Sequence, residues 1–248
     1  MKKILITSLL CNIILTQAMT GLELAEKINN KPEPKDSKSL ILMDLINLKR
    51  NKTRTSEMVS ISKDNGDKML LFFKSPKRDK GVGFLKIEDD DNDKFALFIP
   101  KLKKIRRISS DNQSDSFMNS DLSYEDMLSR DLGDFYYTII TEDEQFYILE
   151  SIPKDKNSEY SKHESWVSKN ELLIKKEKSY DKEGNLLKNK LFKHENIKGY
   201  DIVSEIDVTN VQKNHQTILK IKNSGIDVGI EDDIFQEKNL KRSEKFSN

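Results

Sequence analysis

Residues Phe73–Met127 read FKSPKRDKGVGFLKIEDDDNDKFALFIPKLKKIRRISSDNQSDSFMNSDLSYEDM, and the order of signals in this stretch sets the fold class. Val82–Glu88 and Lys94–Ile99 are short apolar or alternating runs parted by an acidic turn, so they read as consecutive strands that pair antiparallel. In the run just before them, Met69, Leu71 and Phe73 point one way and Leu70 and Phe72 the other. Phe95, Leu97 and Ile99 likewise oppose Ala96 and Phe98. Apolar residues on both sides mean that both faces are covered: one packs on helices while the other lines a cavity or meets a second layer. From Ser109 to Gly133 the pattern turns polar and loop-like. A helix is expected over Tyr124–Arg130, with Ser123 as its cap and Asp126 at the capping-box position. Phe117 and Met118 are two large apolar residues inside that polar loop, expected either as a movable lid at a cavity mouth or as anchors on the core.

Working outward, strands are expected at Ser39–Leu48, Thr55–Ser62 and Lys68–Lys74 on the N-terminal side. On the C-terminal side they are expected at Phe135–Thr141, Gln145–Ile152, Glu164–Ser168, Leu172–Tyr180, Leu186–Glu195, Ile202–Asn210 and His215–Lys222. Asp181–Asn185, with Gly184, is a hairpin turn, and Asn157–Lys162 reads as a surface loop. Thr20 and Glu23 have capping-box spacing ahead of Leu22, Ala25 and Ile28, which places a helix over 20–29 that Pro32 and Pro34 end. The sum is a mainly β (α+β) protein, an antiparallel sheet with few helices. A polar, disordered tail is expected over 241–248.

Lys2 and Lys3 precede an apolar stretch, Ile4–Leu15, and Thr16-Gln17-Ala18 offers a small-x-small cleavage site, so residues 1–18 read as an export signal. Cleavage after Ala18 removes Cys11, the one cysteine, and leaves a mature chain without disulfides. The remaining 19–240 fit a single domain. Forty-three Lys and Arg against 42 Asp and Glu give a net charge of +1, so no global field draws the chain to nucleic acid. Charged residues at 34% and a mean hydropathy of −0.69 describe a heavily solvated surface.

Several constellations in the chain could carry chemistry. The acidic run Glu88–Asp93 fails as a calcium loop, because Lys94 and Pro100 stand where a glycine and a bidentate Glu are required; it reads as a solvated turn. The basic stretch Lys101–Arg107 reads as a solvated strand face, with a rim for anionic headgroups or an acidic partner as its functional alternative. His163, His194 and His215 are scattered without metal-ligand spacing, and the sole tryptophan, Trp166, is expected in the core. With neither a nucleophile elbow nor a phosphate-binding glycine loop, no catalysis and no cofactor are expected.

Three pieces of the opening stretch carry a resemblance: Pro76-x-x-x-x-Gly81 followed by Phe84-Leu85; Leu97-Phe98-Ile99-Pro100, then five residues, then Arg106-Arg107-Ile108; and Ser116-Phe117-Met118-x-Ser120-Asp121 running into Ser123-Tyr124-Glu125-Asp126. Together with the export signal they resemble the periplasmic outer-membrane lipoprotein-sorting proteins, the LolA-like carriers. Asn119 stands where glycine is expected, and Asn tolerates a left-handed backbone; Leu122 stands where an aromatic residue is expected. The resemblance implies a curved antiparallel sheet forming an incomplete barrel, covered by helices, around an apolar cavity. It implies a periplasmic carrier or chaperone for lipid or lipoprotein acyl chains, with an inner-membrane transporter as a further partner. The alternative on the same fold is a sensor module that binds lipid or a partner without moving cargo. The apolar strand faces and the loop pair supply the candidates for contact with lipid: Met69, Leu71, Phe73, Phe84, Phe98, Phe117 and Met118.

Overall fold

Alternating patterns joined by tight polar turns produce a meander. In the computed structural model, which describes residues 18–89 and 93–246, the strands form one antiparallel sheet. They are β1 Asp36–Asn47, β2 Lys52–Lys63, β3 Lys68–Ser75, β4 Gly83–Ile87, β5 Lys94–Ile99, β6 Lys104–Ile108 and β7 Phe135–Glu142. β8 Phe146–Pro153, β9 Lys162–Ser168, β10 Ile174–Tyr180, β11 Leu186–Ile197, β12 Tyr200–Asn210 and β13 His215–Ile226 complete it. The order is β6-β5-β4-β3-β2-β1-β13-β12-β11-β10-β9-β8-β7, so the first and last strands meet in the middle through pairs such as Met43 with Leu219. The sheet is curved and does not close; β6 and β7 are its free edges, and the chain between them must pass from one edge to the other. That connection, 109–134, runs over one face, called here the inner face.

Strand register divides the core in two. On the inner face Ile41, Met43, Met58, Leu71, Phe73, Phe84, Phe95, Leu97 and Ile108 form one buried cluster with Phe117 and Tyr124 of the connection. On the outer face Val59, Ile61, Leu70, Phe72, Leu85 and Ala96 form another, covered by the C-terminal segment through Phe235, Leu240 and Phe246. Helix α1, Gly21–Asn29, starts on the reciprocal Thr20–Glu23 capping box that the spacing indicates. It buries Leu24 and Ala25 against Leu149 and Val167 at the β7 end of the inner face.

Some expectations are corrected. Ser123 and Asp126 do exchange capping-box hydrogen bonds, but the turn they start is a single 3-10 turn, Glu125–Met127, and Leu128 is already extended. Tertiary partners hold Glu125 and Asp126 where a helix would have carried the chain onward. Within the segment expected to be disordered, Ser243–Phe246 form a short helix, and Phe246 stacks on Phe72 with ring centroids 5.6 Å apart. Trp166 lies on the outer face instead of in the core, flanked by the ammonium groups of Lys176 at 4.5 Å and Lys178 at 5.4 Å. Loop residue Tyr160 is buried. Residues 1–17, with the export-signal reading and Cys11, lie outside the described residues, as do 90–92 of the acidic turn.

Candidate functional site

Six of the seven residues put forward for lipid contact share the inner face or its cover. Register places Met69, Leu71 and Phe73 of β3 and Phe84 of β4 on that face; Leu71 pairs with Phe84 and Met69 with Lys86. Phe98 is the exception: it points to the outer face and packs with the cluster under the C-terminal segment. The aromatic set is continuous, since Phe117 sits 5.1 Å from Phe84, 6.3 Å from Phe73 and 5.9 Å from Tyr124, measured between ring centroids. Phe117 is only 3% exposed, so it fills the apolar half of the inner face. Met118 and Asn119, with φ of 50° and 64°, turn the chain through the left-handed region, which a glycine or asparagine at the second position accommodates.

Polar fastenings hold this cover down. The Asp121 carboxylate accepts from Thr217 Oγ1 at 2.7 Å and lies 2.7 Å from His215 Nδ1, while its backbone N–H donates to Thr217 Oγ1. Ser116 Oγ donates to the Ser120 carbonyl, closing the turn on itself. Glu125 accepts from the Ser158 hydroxyl and the Glu159 backbone N–H. Burial raises the Glu125 carboxyl above its ordinary range, against the lowering effect of those two donors.

The second half of the inner face is built from charge. Lys188 and Lys190 of β11, Glu177 and Ser179 of β10, and His163 and Ser165 of β9 lie on adjacent strands on the same side, all buried. The Lys188 and Lys190 ammonium groups donate to Asp126 at 2.7 and 2.6 Å. Lys190 also reaches Glu177 at 3.1 Å, and Arg130 grips Glu177 with both guanidinium nitrogens. Tyr160 donates its hydroxyl to Asp126 at 2.8 Å and meets the His163 ring tilted, with centroids 4.5 Å apart. Burial by itself would raise the Asp126 carboxyl, but Lys190 and Lys188 overcome it and hold the group well below the usual carboxylate range. Glu177 is treated the same way by Arg130 and Lys190. Burial, reinforced by Arg130, pushes His163 well below its ordinary value and keeps the ring neutral. A polar cavity of about 250 Å³ opens beside this network, lined among others by Glu125, Asp126, Arg130, Tyr160 and His163.

Sequence reasoning missed this polar half. Its signal is Lys188-x-Lys190, Glu177-x-Ser179 and His163-x-Ser165, polar residues at the parity that faces inward. Such residues normally face water, so only the pairing across three strands and the connection reveals that they are buried together.

A domain assigned to an outer membrane lipoprotein-sorting protein from Vibrio parahaemolyticus is 31% identical and superposes with a TM-score of 0.84, over 90% of this chain and 98% of that one. This chain belongs to the outer-membrane lipoprotein-sorting domain family, with a LolA-like fold. A family model for an uncharacterized, DUF1329-like protein matches residues 65–242. A DUF1329 family protein from Desulfovibrio piger is 28% identical with a TM-score of 0.82, covering 89% of this chain and 97% of that one. A LolA superfamily protein from Nitrosomonas europaea shares the fold at 17% identity and a TM-score of 0.70, covering 89% and 99%. No protein of curated function matches the sequence. Among the described residues, no helix is long and apolar enough to cross a membrane and no group of His, Cys, Asp and Glu is placed to hold a metal ion.

In this LolA-like chain the Ser116–Asp126 motif therefore serves two structural ends. Phe117 and Tyr124 supply the apolar filling, and Asp121 and Asp126 fasten the segment to β13 and β11. The Arg106–Arg107 pair of the family-like stretch acts at the β6 edge. Arg106 reaches Asp115 of the connection at 3.5 Å, and Arg107 forms a two-pronged pair with Glu237 of the C-terminal segment.

Proposed function

We propose that the protein is an exported, periplasmic carrier without catalysis, which shelters lipid or lipoprotein acyl chains on the apolar half of its inner face. The observation that carries this reading is the nature of the cover. An aromatic floor of Phe73, Phe84 and Phe95 is closed by one loop segment whose Phe117 occupies the place a chain would take, and that segment is tied down by polar contacts to β13 and β11. Lifting the segment exposes a ready apolar surface without breaking the sheet. An acyl chain gains about 0.8 kcal/mol per buried methylene, on the order of 12 kcal/mol gross for fifteen, enough to offset the displaced contacts. Met118, unbranched and half-buried at the edge of the cluster, can adapt to chains of different shape. The 31% identity to a lipoprotein-sorting domain supports the same class of cargo, and an inner-membrane transporter fits as the donor.

Mass spectrometry of lipids co-purified with the exported protein tests the reading, alongside binding of a fluorescent fatty-acid probe. Bound lipid and saturable probe binding are expected. Absence of both rejects the carrier. Release of labelled cargo to acceptor vesicles separates a carrier from a sensor that retains its ligand.

A further inference from the structure

The turns of an antiparallel meander fall alternately at its two ends, and here that alternation sorts charge. Turns 48–51, 76–82 and 100–103 lie at one end of the β1–β6 half. With the first residues of the strands that follow, they carry Lys49, Arg50, Lys52, Lys77, Arg78, Lys80, Lys101, Lys103 and Lys104, every one exposed. Asp79 is the single carboxylate in these turns, and it is already paired with Arg54 and Arg78. Apart from Arg78, no cation of the group has a carboxylate within ion-pair distance among the described residues. By the same count the opposite end of this half carries Asp64, Asp67, Glu88, Asp89 and Asp93 against Lys68 and Lys94. A net charge of +1 thus conceals two ends of opposite sign.

Two large apolar side chains stand in the basic turns. Leu48 is 46% exposed and Leu102 61% exposed, each next to lysine in sequence. The turns are neighbours: a Cβ on Gly81 would lie 3.3 Å from the Pro100 ring, and Arg54, just past the first turn, pairs with Asp79 of the second. From the β1–β2 turn to the β5–β6 turn the rim spans four strand spacings, about 19 Å.

We propose that this rim is a docking surface for an anionic lipid bilayer, with Leu48 and Leu102 entering the interfacial region and the cations meeting lipid phosphates. Seven of the nine cations are lysines, point charges on flexible stems suited to a diffuse negative surface, not to bidentate recognition of individual carboxylates. A wide rim with apolar tips suits a surface that offers both charge and hydrocarbon. An acidic protein would satisfy the cations and leave the leucines unexplained. The assignment rests on charge and exposure, independently of what the inner face holds.

The experiment is co-sedimentation of the protein as purified with vesicles of phosphatidylcholine alone or of phosphatidylcholine mixed with phosphatidylglycerol, whose charge gives a negative surface potential. Binding to the anionic vesicles alone is expected, with a strong loss as salt shortens the screening length. The variant Lys77→Glu/Lys80→Glu/Lys101→Glu/Lys104→Glu, all exposed positions, should weaken it at least tenfold, and Leu48→Ala/Leu102→Ala severalfold, while fatty-acid probe binding stays at the wild-type level in both. Equal binding to neutral vesicles, or undiminished binding by the charge-reversed variant, overturns the proposal. So does retention on immobilised polyglutamate without any vesicle binding, which would assign the rim to an acidic protein instead. Loss of probe binding with vesicle binding intact would strike at the carrier reading and leave the docking surface standing.

Discussion

Replacing Asp126 by asparagine removes the one carboxylate shared by Lys188 and Lys190, at 2.7 and 2.6 Å, and leaves its volume unchanged. The side chain is 2% exposed and those of the lysines 4% and 5%. At an effective dielectric of 20 each pair is worth on the order of 6 kcal/mol of gross attraction, most of which offsets the cost of taking the charges out of water. The variant retains the lysines' share of that desolvation cost without the attraction, and it turns an amide N–H₂ toward an ammonium group. Breaking a buried pair by removing one partner typically costs about 3–5 kcal/mol, and the same range is expected here. Equilibrium unfolding in urea, followed by the fluorescence of Trp166, measures it as a lowered midpoint at constant slope. Adding Lys190→Met to Asp126→Asn should recover part of the loss, since Glu177 keeps Arg130 and one of the two buried cations that lost the Asp126 charge is gone. A loss under about 1 kcal/mol, or a double variant whose loss is the sum of the singles, would refute the view that Asp126 is the charge-paired clamp of the connection.

Other outcomes follow from the same structure. His163 is neutral in the fold but protonates in the unfolded chain below about pH 6.5. Stability should therefore be fully present above that pH and fall by up to about 1.4 kcal/mol per unit as pH drops below it, a slope that His163→Gln flattens in pH-dependent urea titrations. Phe117→Ala, at a site 3% exposed among three aromatic rings, should cost about 3–5 kcal/mol in the same assay; a small cost with weakened probe binding would favour a loosely seated lid over a core anchor. Gly21→Ala should cost about 1–3 kcal/mol, because its Cβ would stand 2.5 Å from the Thr138 backbone nitrogen and push α1 off β7. Phe246→Ala, which removes the ring stacked on Phe72, should lower stability by about 3 kcal/mol, an outcome that calorimetry can check.

The sequence by itself determined the local plan. Strand alternation with short polar turns is a nearest-neighbour property, so Lys94–Ile99 and the Thr20 capping box are legible from residue types alone. The inner motif is legible too, since Ser116–Asp126 combines apolar and carboxylate residues in a loop. Tertiary structure decided what depends on pairing between distant strands. Closure of β1 on β13, through register pairs separated by more than 160 positions in sequence, fixes which side of every strand is inward. That choice sends Phe98 outward, away from Phe84, and turns Lys188 and Lys190 inward against Asp126. It also decided the fate of Tyr124–Arg130. A helix there would satisfy only local hydrogen bonds, whereas a single turn lets Glu125, Asp126 and Arg130 reach Ser158, the lysines and Glu177 across the sheet. Alternation reveals that a strand has two faces; only the assembled sheet says which of them is buried, because burial is a property of what lies opposite.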